Sequence, residues 1–263
     1  MLSRVAYGHA GNGMKGLFNY DSGLFRALDK LGSLFILNLL TLVCSIPLIT
    51  AGVSFTALYY VTMKMVRDEE TYVTRDFFRS FKQNLGQGIV IWLILMGIGG
   101  VLFVDYRIMA ANRDTIPAAG AFMIFSMICA VFLIVETAYV FPVLAKFYNS
   151  IRQTMKNAML MGIRHFPKTV AIIFIDVIFL AITLAALYRN GRSFLAPLYV
   201  CLGFAVPAYA NSYLFVKIFD QYIPVDETAE TGSDEEFILR LQNEPDEIPD
   251  VKATENDVKE KEQ

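Results

Sequence analysis

Long uncharged apolar blocks dominate the pattern of hydrophobic and polar positions along this 263-residue chain. A helix needs about 20 mostly apolar residues to cross a hydrocarbon core of about 30 Å. Five blocks meet or approach that length, and they are apolar on every side, whereas the helices of a soluble core are apolar along one face. The blocks are 31–63, 83–104, 115–135 (continuing past Glu136 to Ala145), 169–188 and 193–216.

The first block, 31–63, is too long for one span and short for two spans with a turn. Pro47 lies near its middle and Gly52 follows, and both residue types interrupt helices. We therefore expect two membrane helices here, roughly 22–46 and 51–66. The second could instead be a short re-entrant arm.

Basic residues concentrate in three segments, namely the first 30 residues, 64–82 and 146–168, whereas the connections at 105–114 and 189–192 hold two bases each. Cytoplasmic loops of membrane proteins carry the excess of Lys and Arg. Placing the three rich segments inside requires two passes, or a re-entrant hairpin, in block 31–63. The predicted fold class is therefore all-α, a polytopic transmembrane helix bundle of about six membrane-embedded helices with both termini cytoplasmic. A five-span model, which would put one basic end outside, ranks second.

Composition and charge divide the chain into three parts. The sequence is 55% hydrophobic, above the usual range for soluble domains. Residues 226–263 carry 14 acids against four bases, whereas the rest of the chain is basic. We expect a flexible cytoplasmic N-terminus over 1–20, a transmembrane helical domain over 21–222 and an acidic, mostly disordered cytoplasmic tail over 223–263.

Catalytic and metal-binding patterns are poorly represented. The two histidines, His9 and His165, lack metal-site spacing, and the three cysteines all fall inside apolar blocks, as buried small residues do. Neither GxSxG nor HExxH occurs, and the glycine-rich stretch 10–16 follows no predicted strand. The sequence therefore predicts no enzyme, no metal, no cofactor and no nucleic-acid partner.

Glu136 and Asp176 are the notable polar residues inside the apolar blocks. Carboxylates in a membrane are costly and usually face a bundle interior or a water-filled cavity. Each could simply be protonated or meet a backbone group or water, or the two could form a proton, cation or substrate site. Asn38 is a third candidate for this intramembrane polar site, although hydrogen bonding between helices is the more common role of such a residue.

The segment 67–88 interleaves bases, acids and aromatic residues between two predicted membrane helices. Two interpretations remain open, a charged elbow helix at the lipid interface and a docking surface for a cytoplasmic partner. The charged residues of the candidate docking surface are Arg67, Asp68, Glu69, Arg75, Asp76, Arg79 and Lys82.

The sequence resembles the YesL-like family, bacterial integral membrane proteins that carry a domain of unknown function. The resemblance rests on DSGLFRALDKLGSLFILNLLTLVCSIPLITAG (21–52), TALYYVTMKMVRDEE (56–70), RDFFRSFKQN (75–84), YVFPVLAKF (139–147) and GIRHFPKT (162–169). It implies a multi-pass protein of the bacterial cell membrane. Members are often encoded beside carbohydrate uptake systems, which implies sugar ABC transporter subunits as partners in addition to the lipid bilayer. No ligand residues are established for the family.

The expected function is that of a non-enzymatic accessory or regulatory component of carbohydrate ABC-type uptake. A small transporter or channel that uses Glu136 and Asp176 is the alternative. The sequence identifies neither the substrate nor the oligomeric state.

Overall fold

The computed structural model describes residues 23–113, 115–188 and 202–223. Within these ranges the chain forms seven α-helices and no strand, which confirms the all-α class. The predicted segment 1–20 and almost all of the acidic tail lie outside the described residues. The helices are α1 Gly23–Ser45, α2 Ala51–Val66, α3 Val73–Ala111, α4 Ala119–Lys146, α5 Ile151–Arg164, α6 Phe166–Tyr188 and α7 Ala205–Phe219.

Four of these helices, α1, α3, α4 and α6, are long and apolar enough to cross a membrane. Many of their large apolar side chains point outward: Val101 is 70% exposed, and Ile124 and Phe125 are each 62% exposed. Lipid is the environment in which such surfaces are stable. The fold is therefore that of a membrane protein.

The uncharged block 31–63 divides into two helices, as the sequence predicts. Helix α1 ends at Ser45, a short 3₁₀ turn covers Leu48–Thr50, and α2 follows. The Thr50 hydroxyl closes the turn, since it lies 2.7 Å from the Cys44 carbonyl oxygen and 2.8 Å from that of Pro47. Helix α2 has 16 residues, a length of about 24 Å. It is shorter than the hydrocarbon core and is not among the four long candidate spans.

Helix α2 is the centre of the bundle. Twelve of its 16 residues are buried, on all sides of the helix. It runs antiparallel to the first half of α3, because Val53 packs on Gly88 and Lys64 pairs with Asp76. Hydroxyl side chains on α2 are satisfied locally: Thr56 and Thr62 each donate to the carbonyl four residues before.

Helix α3 has 39 residues, a length of about 58 Å and nearly twice what one span needs. The prediction that residues 105–114 form a connection is wrong for residues 105–111, which continue the helix. The segment 67–88 is not a separate elbow helix either, because α3 runs without a break from Val73 into its apolar half. The charged residues that suggested helix boundaries therefore lie within one helix. A helix that projects beyond the bilayer tolerates such residues.

Helix α4 pairs with the second half of α3 and then with α5. The Ser126 hydroxyl donates to Asp105 near the far end of α3, and the rings of Trp92 and Phe141 pack with centroids 5.9 Å apart. After α4 ends at Lys146, Ser150 caps the start of α5, which folds back along α4. A side chain on Gly162 of α5 would meet Val135 of α4 at 2.5 Å, so the two helices touch closely.

Candidate functional site

Glu136 is buried in the interior, on the inner face of α4. Its side chain is 4% exposed, and neither carboxyl oxygen has a hydrogen-bond partner among the described residues. One turn later, Tyr139 is fully buried, and its hydroxyl lies 2.7 Å from the Thr169 hydroxyl of α6. An ionised carboxylate without a partner would be strongly disfavoured in such a place.

Asp176 lies on α6 in a different setting, with one carboxylate oxygen accepting a hydrogen bond of 2.8 Å from the side-chain amide of Asn211 on α7. The Tyr59 hydroxyl, on α2, is close enough to interact with both residues. Asp176 is half-buried, whereas Asn211 and Tyr59 are buried. Three helices therefore contribute polar side chains to one place.

No hydrogen bond joins the two acids, because Asp176 accepts one from Asn211 and the carboxyl oxygens of Glu136 have no partner among the described residues. Whether they share a depth in the membrane stays a prediction. The sequence identified both acids, but it did not show that Tyr59 lies beside Asp176, because one tyrosine among 13 carries no mark of its neighbours.

Asn38, the third candidate, holds two helices together. Its side-chain oxygen accepts hydrogen bonds from the backbone N–H groups of Phe204 and Ala205, at 2.8 and 3.0 Å. Helix α7 begins at Ala205, so Asn38 of α1 satisfies amide groups that the start of a helix leaves unpaired. A second contact fixes α7 on α2, where the hydroxyls of Thr62 and Ser212 lie 2.8 Å apart. Asn38 therefore links helix α1 to the start of helix α7.

The candidate docking surface divides into inward and outward charges. Asp76 is 5% exposed and forms an ion pair of 3.1 Å with Lys64, and Asp68 forms one of 2.8 Å with Lys30 at the surface. Asp68 has a positive φ of 53°, a conformation that Asp and Asn adopt more readily than most residues. Neither lysine was a predicted site residue. The remaining charges are the half-buried Arg67 and the exposed Glu69, Arg75, Arg79 and Lys82.

The base-rich segments meet at one end of the bundle. The loop after α4, with Lys146 and Tyr148, lines a shallow depression together with Ser80 and Asn84 near the start of α3. The ion pair from Lys30 to Asp68 brings the beginning of α1 to the loop between α2 and α3. Segments that the sequence assigns to one side of the membrane are therefore neighbours in space.

Among the described residues, no group of three or more His, Cys, Asp or Glu side chains could hold a metal ion. Cys44 and Cys129 are free thiols, whereas His9 and Cys201 lie outside the described ranges. His165 lies between α5 and α6, where burial and the charges of Lys168 and Arg164 lower its pKa. It therefore favours the neutral form at pH 7.

Comparison with known proteins gives one match. The family model described as "Protein of unknown function, DUF624" matches residues 34–106, which run from α1 through α2 and most of α3. YesL-like families carry this domain, so the match supports the resemblance at the level of the domain. No curated protein and no solved structure matches the chain. Residues 34–106 of this membrane protein are thus similar to the DUF624 domain, a domain of unknown function.

Proposed function

We propose that this chain is a non-enzymatic accessory or regulatory component of a bacterial carbohydrate ABC-type uptake system, located in the cell membrane with both termini cytoplasmic. The observation that carries the proposal is the construction of α3. Its first half bears exposed charges, and its second half is an apolar membrane span in the same 39-residue helix. A partner bound to the first half would act directly on the membrane part.

The charge of this surface indicates what kind of partner it fits. The acids Asp68 and Asp76 are paired with lysines of this chain, and Asp76 is buried. Arg75, Arg79 and Lys82 are exposed, and no described residue forms an ion pair with them. They follow one another at intervals of four and three residues, so they lie along one face of the helix. Such a face favours a partner with an acidic surface.

The proposed sidedness is supported by the gathering of the base-rich segments at one end of the bundle. Excess Lys and Arg mark the cytoplasmic side. Cytoplasmic subunits of a transporter would meet the protein at that end. The link to carbohydrate uptake rests on the YesL-like resemblance.

The proposal is tested by affinity capture of the full chain from bacterial membranes in mild detergent, followed by mass spectrometry. We expect stoichiometric recovery of a sugar ABC permease or ATPase. The double variant Arg75→Glu and Arg79→Glu should reduce that recovery more than tenfold. Arg152→Glu with Lys156→Glu is the matched control, because these two bases are also exposed and four residues apart on α5. Equal recovery with both double variants would contradict the docking surface.

A second candidate function, a small ion-coupled transporter or channel, is favoured by Glu136. A buried carboxyl without a partner within a membrane protein is typical of proton and ion pathways. The Glu136→Gln variant keeps the shape but cannot ionise. If the protein is a transporter, this variant should abolish sugar-dependent growth in a deletion strain at unchanged membrane levels. Full restoration of growth by Glu136→Gln would favour the accessory function over the transporter.

A further inference from the structure

The middle of α6 carries a carboxylate whose surroundings are unusual for a structural residue. Asp176 is the eleventh of the 23 residues of α6, so the helix extends for about 15 Å on either side, and Lys168 near its start is the only other charged residue in it. It is half-buried, and it has only neutral polar neighbours from the other helices. No described base pairs with it, although a carboxylate within a membrane protein usually has a partner.

Asn211 provides the second observation. Its amide nitrogen donates a hydrogen bond of 2.8 Å to Asp176. The Asn211 side chain is 0% exposed, and its Oδ1 has no hydrogen-bond partner among the described residues. The amide oxygen and nitrogen share one carbon, so Oδ1 lies within about 5 Å of the bonded carboxylate oxygen. An unpartnered acceptor is therefore buried beside an unpaired carboxylate.

The third oxygen comes from α2. Tyr59 lies near Asp176 and Asn211, and its ring packs edge-on against Phe215 with centroids 5.5 Å apart. One turn along, the Thr62 and Ser212 hydroxyls link α2 to α7. These contacts hold the three oxygens in place through packing outside the site itself.

We propose that the Asp176 carboxylate, Asn211 Oδ1 and the Tyr59 hydroxyl form a binding site for a monovalent cation. Carboxylate, amide and hydroxyl oxygens are ligands of hard cations. One carboxylate neutralises one positive charge, whereas a divalent ion would leave a net charge inside the apolar bundle. A cation would also give the buried amide oxygen a partner.

The site does not depend on a docked partner. The proposal rests on the second candidate function, the ion-coupled transporter or channel, and names the class of ion that it would bind. Binding of the ion can be measured on purified protein whether or not the protein transports anything. A failure of transport with binding intact would overturn the second candidate alone. Glu136 is not part of this site, because no hydrogen bond joins it to Asp176.

The experiment is thermal unfolding of the full chain in detergent, in lithium, sodium, potassium or choline chloride at equal ionic strength. A ligand that binds only the folded state raises Tm with the logarithm of its concentration. We expect one of the monovalent metal ions to raise Tm by about 3–6 °C over choline once it is tenfold above its Kd. Asp176→Asn and Asn211→Leu should abolish this shift, and Tyr59→Phe should reduce it. Asp105→Asn is the control and should keep it, because Asp105 is an acid of α3 that accepts a hydrogen bond from Ser126 of α4.

Equal melting of the natural protein in all four salts would overturn the proposal, as would a shift that survives Asp176→Asn. The same measurement in calcium or magnesium chloride would also overturn it if only these divalent ions raised Tm. If Asp176→Asn and Asn211→Leu fail to fold, equilibrium binding of radioactive sodium and rubidium to the natural protein and to Tyr59→Phe decides the matter. One saturable cation per chain, with weaker binding to Tyr59→Phe, is the expected result. No saturable binding would overturn the proposal.

Discussion

Gly52 is a position where three helices pack closely together. It lies at the start of α2, against both α3 and α4. A Cβ atom at residue 52 would lie 2.7 Å from the Cβ of Trp92 and 2.8 Å from Cε1 of Phe141. Neither atom is the end of a flexible side chain, so a helix would have to move. We therefore expect Gly52→Ala to destabilise the protein.

Two opposing effects set the magnitude. Forcing a methyl group into a packed interior costs about 1–3 kcal/mol. Replacing Gly by Ala within a helix returns about 0.5–1 kcal/mol, because the unfolded chain loses freedom. The free energy of unfolding should therefore fall by about 1–2 kcal/mol, and Tm should fall by about 2–8 °C for a chain of this size.

Thermal unfolding in detergent, followed by circular dichroism, measures this change. Gly97→Ala and Gly100→Ala are the matched controls, because a Cβ at either position meets nothing within 4 Å. Both controls should melt at or slightly above the natural protein. Adding Phe141→Leu to Gly52→Ala should recover part of the lost stability, since it removes the ring atom at 2.8 Å. Unchanged or higher melting of Gly52→Ala would refute the close contact of the three helices.

Further predictions concern links between helices, ion pairs and sidedness. Asn38→Leu leaves two backbone N–H groups without their acceptor and should lower the free energy of unfolding by about 2–4 kcal/mol, measured by the same assay. An effect below that of Gly52→Ala would contradict the link between α1 and α7. Asp76→Asn breaks a buried ion pair and should cost about 1–3 kcal/mol more than Asp68→Asn, whose ion pair is at the surface; equal melting of the two variants would contradict the difference in burial. Reporter fusions at Lys15 and Asn112 should give cytoplasmic and external signals, respectively, and an external signal at Lys15 would overturn the six-helix topology.

The sequence predicted the apolar helices and the break at Pro47, because both are local properties. It did not predict the length of α3, since Lys82 and Asp105 looked like boundaries, whereas a 39-residue helix carries both. The candidate acids were visible as charges in apolar blocks. Which residues lie beside Asp176 could not be predicted, because Tyr59 and Asn211 are separated from it by more than 30 residues in the chain and meet it only after folding.

The hydrogen bonds from the start of α7 to Asn38 also bear on how the protein is made. Residues 38 and 205 are separated by 167 positions, so α1 enters the membrane long before its partner is synthesised. Until α7 arrives, the Asn38 amide has to find water or another helix. Correct assembly of the bundle therefore has to wait until residue 205 has been synthesised. A chain that stops before residue 204 would expose this polar side chain on α1, a feature by which membrane quality control could recognise it as incomplete.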